Sequence, residues 1–450
     1  MNKKIRLVIF FACIICFFAA APYIVMYSIG YRIDLQRWKI VSTGGIYIRS
    51  FPSANEVTID SKKTVKPGLF DSAVFVQDLL PGQHTVTVRK IGYFDYQKTL
   101  EVTGKQAEKI EDILLIKKDI PFSEIAQKAD YLSLSDDGNR FFYAVFKPAS
   151  IEANIISRNS EKHTMTVLLP AEIANITDLI WSGDSNKLLM KSQGKYYLLN
   201  PFEQKPKALP LPYLSSAKQI SFDPRNSDDF FYVINKNLYS SKKSVPIIKN
   251  VASYYFADGG IVWLSYDSNI YNSDFSGKLI STLFEKPYSV NTANSYKLAT
   301  SQENISLQEN QKLFFLNKTT KLFEDFYSPI AKTSVSPDGK KLLYYNENEI
   351  SYLTTKDGPA EKVLLARLQE KIIDCYWLNN DYLIFNTQNS IVISEIDPRG
   401  HINMHTLPQT LIAGGKEFST KGAKIAFNRN DGKIYMLSGN TLIASEKITQ

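Results

Sequence analysis

The residues best suited to chemistry are sparse in this chain of 450 residues, which holds four His and three Cys. His401 and His405 stand four apart in His401-Ile402-Asn403-Met404-His405. On a helix that spacing would place two imidazoles on one face, where they could share a metal. The context reads as strand, however, which sets the pair about 13 Å apart along one face. That is too far to share an ion, and a solvated role is expected for both. Repeated Asp-Gly pairs are a second candidate. Asp136-Asp137-Gly138-Asn139 opens like a calcium loop, but the later carboxylates and the distal Glu are missing. Asp-Gly also supplies the backbone that a hairpin turn needs, and a turn is the expectation.

Three cysteines exclude a disulfide scaffold and leave little room for a zinc site. A Gly-x-Ser-x-Gly elbow, a P-loop and a dinucleotide fingerprint are all missing from the sequence. A polysaccharide hydrolase would need only two close carboxylates, and 45 acidic residues leave that alternative open. The reading is nonetheless non-catalytic, with no catalytic, metal or cofactor residue assigned and no cofactor expected.

What positions these residues comes from composition and pattern. Hydrophobic residues make up 44% and charged residues 22%, a balance that excludes disorder. Lys and Arg number 53 against 45 acidic residues, a net +8 that is thin over this length. No Lys/Arg block reads as a nucleic-acid surface, and no nucleic-acid partner is expected. Tyr and Phe, 26 each, point toward strands.

The N-terminus carries Lys3, Lys4 and Arg6, then 23 residues without a formal charge, 7–29. As a helix this segment spans the roughly 30 Å hydrocarbon core of a bilayer. Ala19-Ala20-Ala21 offers a competing signal-cleavage site. Against cleavage, Pro22 comes at once, and the apolar run continues through Tyr23-Ile24-Val25-Met26, longer than a signal core. Phe10-Phe11-Ala12-Cys13 makes a poor lipobox, and Cys13 and Cys16 read as apolar residues of the span. A weak positive-inside bias favours an inner N-terminus and an extracytoplasmic bulk. Cys375, in Ile372-Ile373-Asp374-Cys375-Tyr376-Trp377, is expected to be buried. The divisions read as a transmembrane anchor at 1–30, a linker at 31–43, a small β-domain at 44–117 and a repeat region at 121–450.

The small β-domain shows short alternating strands separated by Pro52, Pro67 and Pro81-Gly82. Its landmarks are Ser50-Phe51-Pro52-Ser53-Ala54-Asn55-Glu56-Val57-Thr58-Ile59-Asp60 and Leu80-Pro81-Gly82-Gln83-His84-Thr85-Val86-Thr87-Val88-Arg89-Lys90-Ile91-Gly92-Tyr93. Together they resemble a PEGA domain. The departures are Ser53 and Asp60-Ser61, where that family usually has glycine. The resemblance implies a small β-sandwich of bacterial surface and envelope proteins with no chemistry of its own. His84, beside a tight turn, is expected to pack.

From residue 121 onward one motif recurs: apolar strand, turn with Asp, Asn or Gly, second apolar strand. Ser334-Val335-Ser336-Pro337-Asp338-Gly339-Lys340-Lys341-Leu342-Leu343-Tyr344-Tyr345 is the clearest copy. Landmarks at Ser135, Ser182, Phe222, Phe256, Asn294, Ser336, Leu378 and Ser419 lie 34 to 47 residues apart. Later hairpins near Ser157, Asn200, Ser240, Ser273, Asn317, Thr355, Asp397 and Ser438 interleave with them. A period near 40 with four short strands per unit indicates a β-propeller. The Ser-Pro-Asp-Gly turn is similar to that of WD40-like and TolB-type propellers. Eight blades are expected, with seven as the alternative. The whole reads as an all-β envelope protein on one N-terminal helix, its propeller binding a protein or polysaccharide partner.

Overall fold

The structure is a computed structural model that describes residues 3–35, 38–68, 72–135, 138, 140–147, 150–157, 162–168, 175–301, 304–354 and 361–448. The chain forms two compact units. The first runs from Met1 to Ile120 and takes in Ser394–His405; the second holds Pro121–Ile393 and Thr406–Thr449.

The first unit opens with the helix Lys3–Ser28. Within it Ile5–Ser28 is 24 residues long and none of its most apolar window is buried in protein. At 1.5 Å per residue this span measures about 36 Å, enough to cross a bilayer. A two-stranded hairpin, Tyr31–Asp34 with Lys39–Ser42, comes directly after it.

Two sheets then form a β-sandwich. One orders Ala73–Leu79, Gly44–Phe51 and Ala107–Leu114; the other orders Lys63–Val65, Glu56–Ile59, Gly82–Arg89 and Tyr96–Val102. The alternation in the sequence decides which side chains enter the core. Val86 and Val88 are fully buried while Thr85, Thr87 and Arg89 between them are not. With Ile46, Ile48, Val57, Ile59, Leu100 and Val102 they form one apolar cluster.

Asp60 and Ser61, at φ 52° and 56°, occupy the left-handed region in the turn between two paired strands. Glycine would adopt that geometry freely. Here Asp60 is held in it, its carboxylate accepting from the Thr85 amide at 2.9 Å. Gly44 is constrained differently. A Cβ there would stand 2.3 Å from the Thr103 carbonyl oxygen and 2.6 Å from Val102 Cγ1. Because the first obstacle is backbone, Gly44→Ala is expected to destabilise the sandwich by about 1–3 kcal/mol. Chemical denaturation of the two proteins measures this directly, and equal midpoints would refute it.

The second unit is a β-propeller. Among the described residues, six four-stranded sheets succeed one another along the chain, spanning 131–168, 178–211, 219–249, 251–284, 296–327 and 332–367, and the strands Ile372–Trp377 and Tyr382–Thr387 come after them. The last sheet has six strands, ordered Lys416–Ser419, Thr410–Ala413, Phe122–Gln127, Thr441–Ser445, Lys433–Ser438 and Lys424–Asn428. Phe122–Gln127 pairs antiparallel with Thr441–Ser445, so the unit's first strand completes its final sheet.

Successive sheets bury their faces against each other. Phe142, Ile151 and Val167 of the first sheet pack with Trp181, Leu188 and Tyr197 of the second. The last sheet closes on the first, where the Phe141 and Tyr435 rings stack with centroids 4.2 Å apart.

Two expected landmarks fall elsewhere in this pattern. Asn294 precedes the first strand of its sheet, Tyr296–Ser301, instead of coming after it. Ser419 ends a strand of the added hairpin, and the first strand of the last repeat is Lys424–Asn428. An apolar strand leading into a polar turn is common to every antiparallel hairpin, so the motif alone does not report which hairpin it belongs to.

Candidate functional site

The repeated aspartates serve the turns. Asp184 Oδ1 accepts from Ser182 Oγ at 2.6 Å and from the Asn186 amide at 3.0 Å. Asp338 Oδ1 does the same with Ser336 Oγ at 2.6 Å and the Lys340 amide at 3.0 Å. Partial burial alone would raise both carboxyls, but these hydrogen bonds hold them below the usual carboxylate range. Asp136, Asp137 and Asn139 of the calcium-like copy lie outside the described residues. In the third sheet Asp223 ends the first strand. Burial pushes its carboxyl up, and Arg225, bonded to it through Nε at 2.9 Å and Nη2 at 2.5 Å, brings it down below its ordinary value. A carboxylate so held stays ionised, the opposite of what a general acid needs.

Among the histidines, His84 has its Nδ1 2.6 Å from Asp60 Oδ2 and its Nε2 2.7 Å from the Leu80 carbonyl oxygen. The ring therefore locks the strand start to the Asp60-Ser61 turn. His401 corrects the expected picture, since it sits in a bend and strand begins only at Met404. The spacing expected along a strand face therefore does not apply. His405 is half-buried rather than solvated, its ring stacked on Phe94 with centroids 4.7 Å apart. Cys375 is buried, and burial with Asp374 nearby pushes its thiol far above the usual range. Among the described residues no cluster of three or more His, Cys, Asp or Glu is placed to hold a metal.

The most elaborate polar cluster in the first unit was not anticipated. Lys98 is completely buried, and its Nζ donates to Glu395 Oε1 at 2.5 Å, Asp397 O at 2.8 Å and His401 O at 3.0 Å. Glu395, 3% exposed, also accepts from the Asn403 amide at 2.8 Å and from Asn403 Nδ2 at 2.7 Å. Asn403 Nδ2 further donates to Gln97 O, while the Gln97 amide donates to Asn403 Oδ1. Every proton of the ammonium thus has an acceptor, the condition under which a buried charge is tolerated. One signal for it exists in the sequence. In Tyr96–Val102 the buried positions are Tyr96, Lys98, Leu100 and Val102, which places a lysine in the apolar register of an alternating strand.

Beside this cluster lies an open recess of about 480 Å³, lined by Ser61, Thr87, Arg89, Asp95, Gln97 and residues 401–405. Its charges pair internally, with Arg89 Nε 2.8 Å from Asp95 Oδ2. The geometry suits packing and polar contact.

Burial lowers the pKa of His405. The unfolded chain would protonate it near pH 6.5, the folded protein only below that. Stability of the first unit is therefore expected to fall as the pH drops below about 6.5. His405→Phe, which keeps the stack on Phe94, should flatten that dependence. Melting curves between neutral and mildly acid pH decide it, and identical slopes for both proteins would refute the assignment.

Residues 43–114 match the PEGA domain family. The match covers the segment that holds the two sheets, the Leu80-Pro81-Gly82 turn and the buried valines. The Lys98 cluster is built on its strand Tyr96–Val102, and Asp60-Ser61 forms a left-handed turn without glycine.

The whole chain has no match among the curated proteins. Among solved structures it is similar to a streptogramin B lyase, at 15% identity and TM-score 0.39, covering 73% of this chain and 98% of that one. It is also similar to Kluyveromyces lactis Hsv2, at 12% identity and TM-score 0.39, covering 63% and 98%. A eukaryotic initiation factor aligns at 13% identity and TM-score 0.43, covering 79% and 93%.

Proposed function

We propose that the chain is a single-pass bacterial envelope protein whose β-propeller binds a protein or glycan partner without catalysing a reaction. In this reading Ile5–Ser28 remains in the membrane with the amino end inside, and the PEGA domain and propeller lie outside the cytoplasm. The propeller has eight blades in this reading, and their loops present a broad surface.

The observation that carries the reading is at the end of the helix. Apolar helix continues past Ala19-Ala20-Ala21 to Ser28. Its last turn is fastened to the hairpin and the sandwich, because Arg32 Nη1 donates to the Tyr27 carbonyl at 2.8 Å and Arg32 Nη2 pairs with Asp78 of the PEGA domain at 2.8 Å. Cleavage after Ala21 would leave this fastening on a short apolar stub. The full chain is therefore expected to stay with membranes through an alkaline carbonate wash at its full mass. Release into the wash, or a mass that begins at Pro22, would overturn the anchor.

The partner is tested by co-sedimentation of residues 43–450 with bacterial envelope fragments, one portion protease-treated and another stripped of polysaccharide. Loss of binding in one treated portion identifies the partner as protein or glycan. Absence of binding to untreated fragments would overturn the envelope-binding reading, and release of soluble sugar from them would overturn the non-catalytic one.

A further inference from the structure

The hairpin Tyr31–Asp34/Lys39–Ser42 has a surface that water does not explain. It forms a two-stranded sheet of its own. Isolated two-stranded hairpins are at best marginally stable in water. In this one Ile33 pairs directly with Ile40, so both project from one face, 47% and 56% exposed. At its tip Leu35 and Trp38 are 71% and 84% exposed. In the chain, Ile33 and Leu35 follow the last helical residue, Ser28, by five and seven positions.

The hairpin's depth is set by lengths. A span of about 36 Å exceeds the roughly 30 Å hydrocarbon core and brings Ser28 into the headgroup layer, about 5–7 Å thick on each side. Tyr23 and Tyr27, half-exposed on the last turns, stand where an interfacial aromatic belt is expected. The turn after the helix is tight: Gly30, at φ +83°, accepts through its carbonyl from the Thr43 amide at 2.7 Å and Thr43 Oγ1 at 2.9 Å. The base of the hairpin is thereby held at the helix end. Arg32 reinforces this, its guanidinium carbon 3.4 Å from the Tyr27 ring centroid. With Ser28 in the headgroup layer, the base of the hairpin lies there as well.

We propose that this hairpin is a second membrane contact, lying in the boundary between headgroups and acyl chains with Ile33, Leu35, Trp38 and Ile40 toward lipid. Trp38 suits that boundary, with an apolar body and one N–H to donate, and exposed Lys39 beside it meets anionic headgroups. The proposal rests on the anchored reading of Ile5–Ser28.

Trp38 is a built-in reporter, since Trp181, Trp263 and Trp377 are all buried in the propeller. The full chain is reconstituted into phosphatidylcholine–phosphatidylglycerol vesicles, isolated by flotation, and compared with Trp38→Phe. The difference between their emission spectra is the Trp38 signal. A blue-shifted signal is expected, quenched strongly by lipid brominated near the carbonyl end and weakly by aqueous iodide. Floating protein whose Trp38 emits as in water, with iodide as the effective quencher, would overturn the hairpin contact and leave the anchor standing. Protein that does not float would overturn both.

Discussion

Lys98→Met is expected to destabilise the first unit by about 3–5 kcal/mol, one of the two largest single effects in the protein. The substitution leaves Glu395, 3% exposed, as an ionised carboxylate without its cation. It also removes the donor shared by the carbonyl oxygens of Asp397 and His401. Asn403 still donates twice to Glu395, but two neutral donors replace little of a charge-assisted bond in a dry site. The double variant Lys98→Met/Glu395→Met removes both charges and should recover most of the loss. Hydrogen exchange along Tyr96–Val102 and residues 394–405 reads the effect where it arises. A single variant that costs less than about 1 kcal/mol, or a double variant no better than the single, would show that the pair is solvated in solution.

Ending the chain after Asn440 should be more damaging to the second unit. It removes Thr441–Ser445, which pairs with Phe122–Gln127 on one side and Lys433–Ser438 on the other. Leu442 and Ile443 are fully buried and Ala444 nearly so. Their burial alone is worth about 3–6 kcal/mol, a large part of the stability of an ordinary domain. The loss also uncovers Phe141, Tyr143 and Tyr435, which share a cluster with Leu442 and Ala444. Near-ultraviolet circular dichroism should show the cooperative melt lost or sharply lowered, with rapid proteolysis under native conditions. An unchanged melt would mean that Phe122–Gln127 contributes nothing to closure.

Much of this architecture was legible without coordinates because its signals are local. Val86 and Val88 alternate with Thr85 and Thr87, and period-two alternation on a half-buried strand leaves little choice of face. Residues 7–29 without a formal charge can be satisfied only by a continuous apolar helix or a cleaved signal, which narrows the N-terminus to two readings. The turn reading of Asp338 likewise agrees with its bonds to Ser336 and the Lys340 amide. The strand-face spacing expected of His401 and His405 does not hold, because it assumes strand through Ile402 and Asn403. Hydrogen bonds from Asn403 to Gln97 and Glu395 hold the chain there in another path.

Long-range pairing had no such signal. Phe122–Gln127 pairs with Thr441–Ser445, more than 300 residues away, and nothing in the pattern of either strand names the other. The sequence by itself determined the apolar helix, the sandwich's alternating core and the recurring four-strand unit, since each is written in the order of neighbouring side chains. Tertiary structure alone decided that the unit's first strand completes its last sheet, that Lys98 is neutralised by Glu395, and that Ile33 and its partner Ile40 stand exposed on one face of the hairpin. These depend on which distant groups become neighbours, and a charge or an apolar face acquires its meaning only from what stands opposite it.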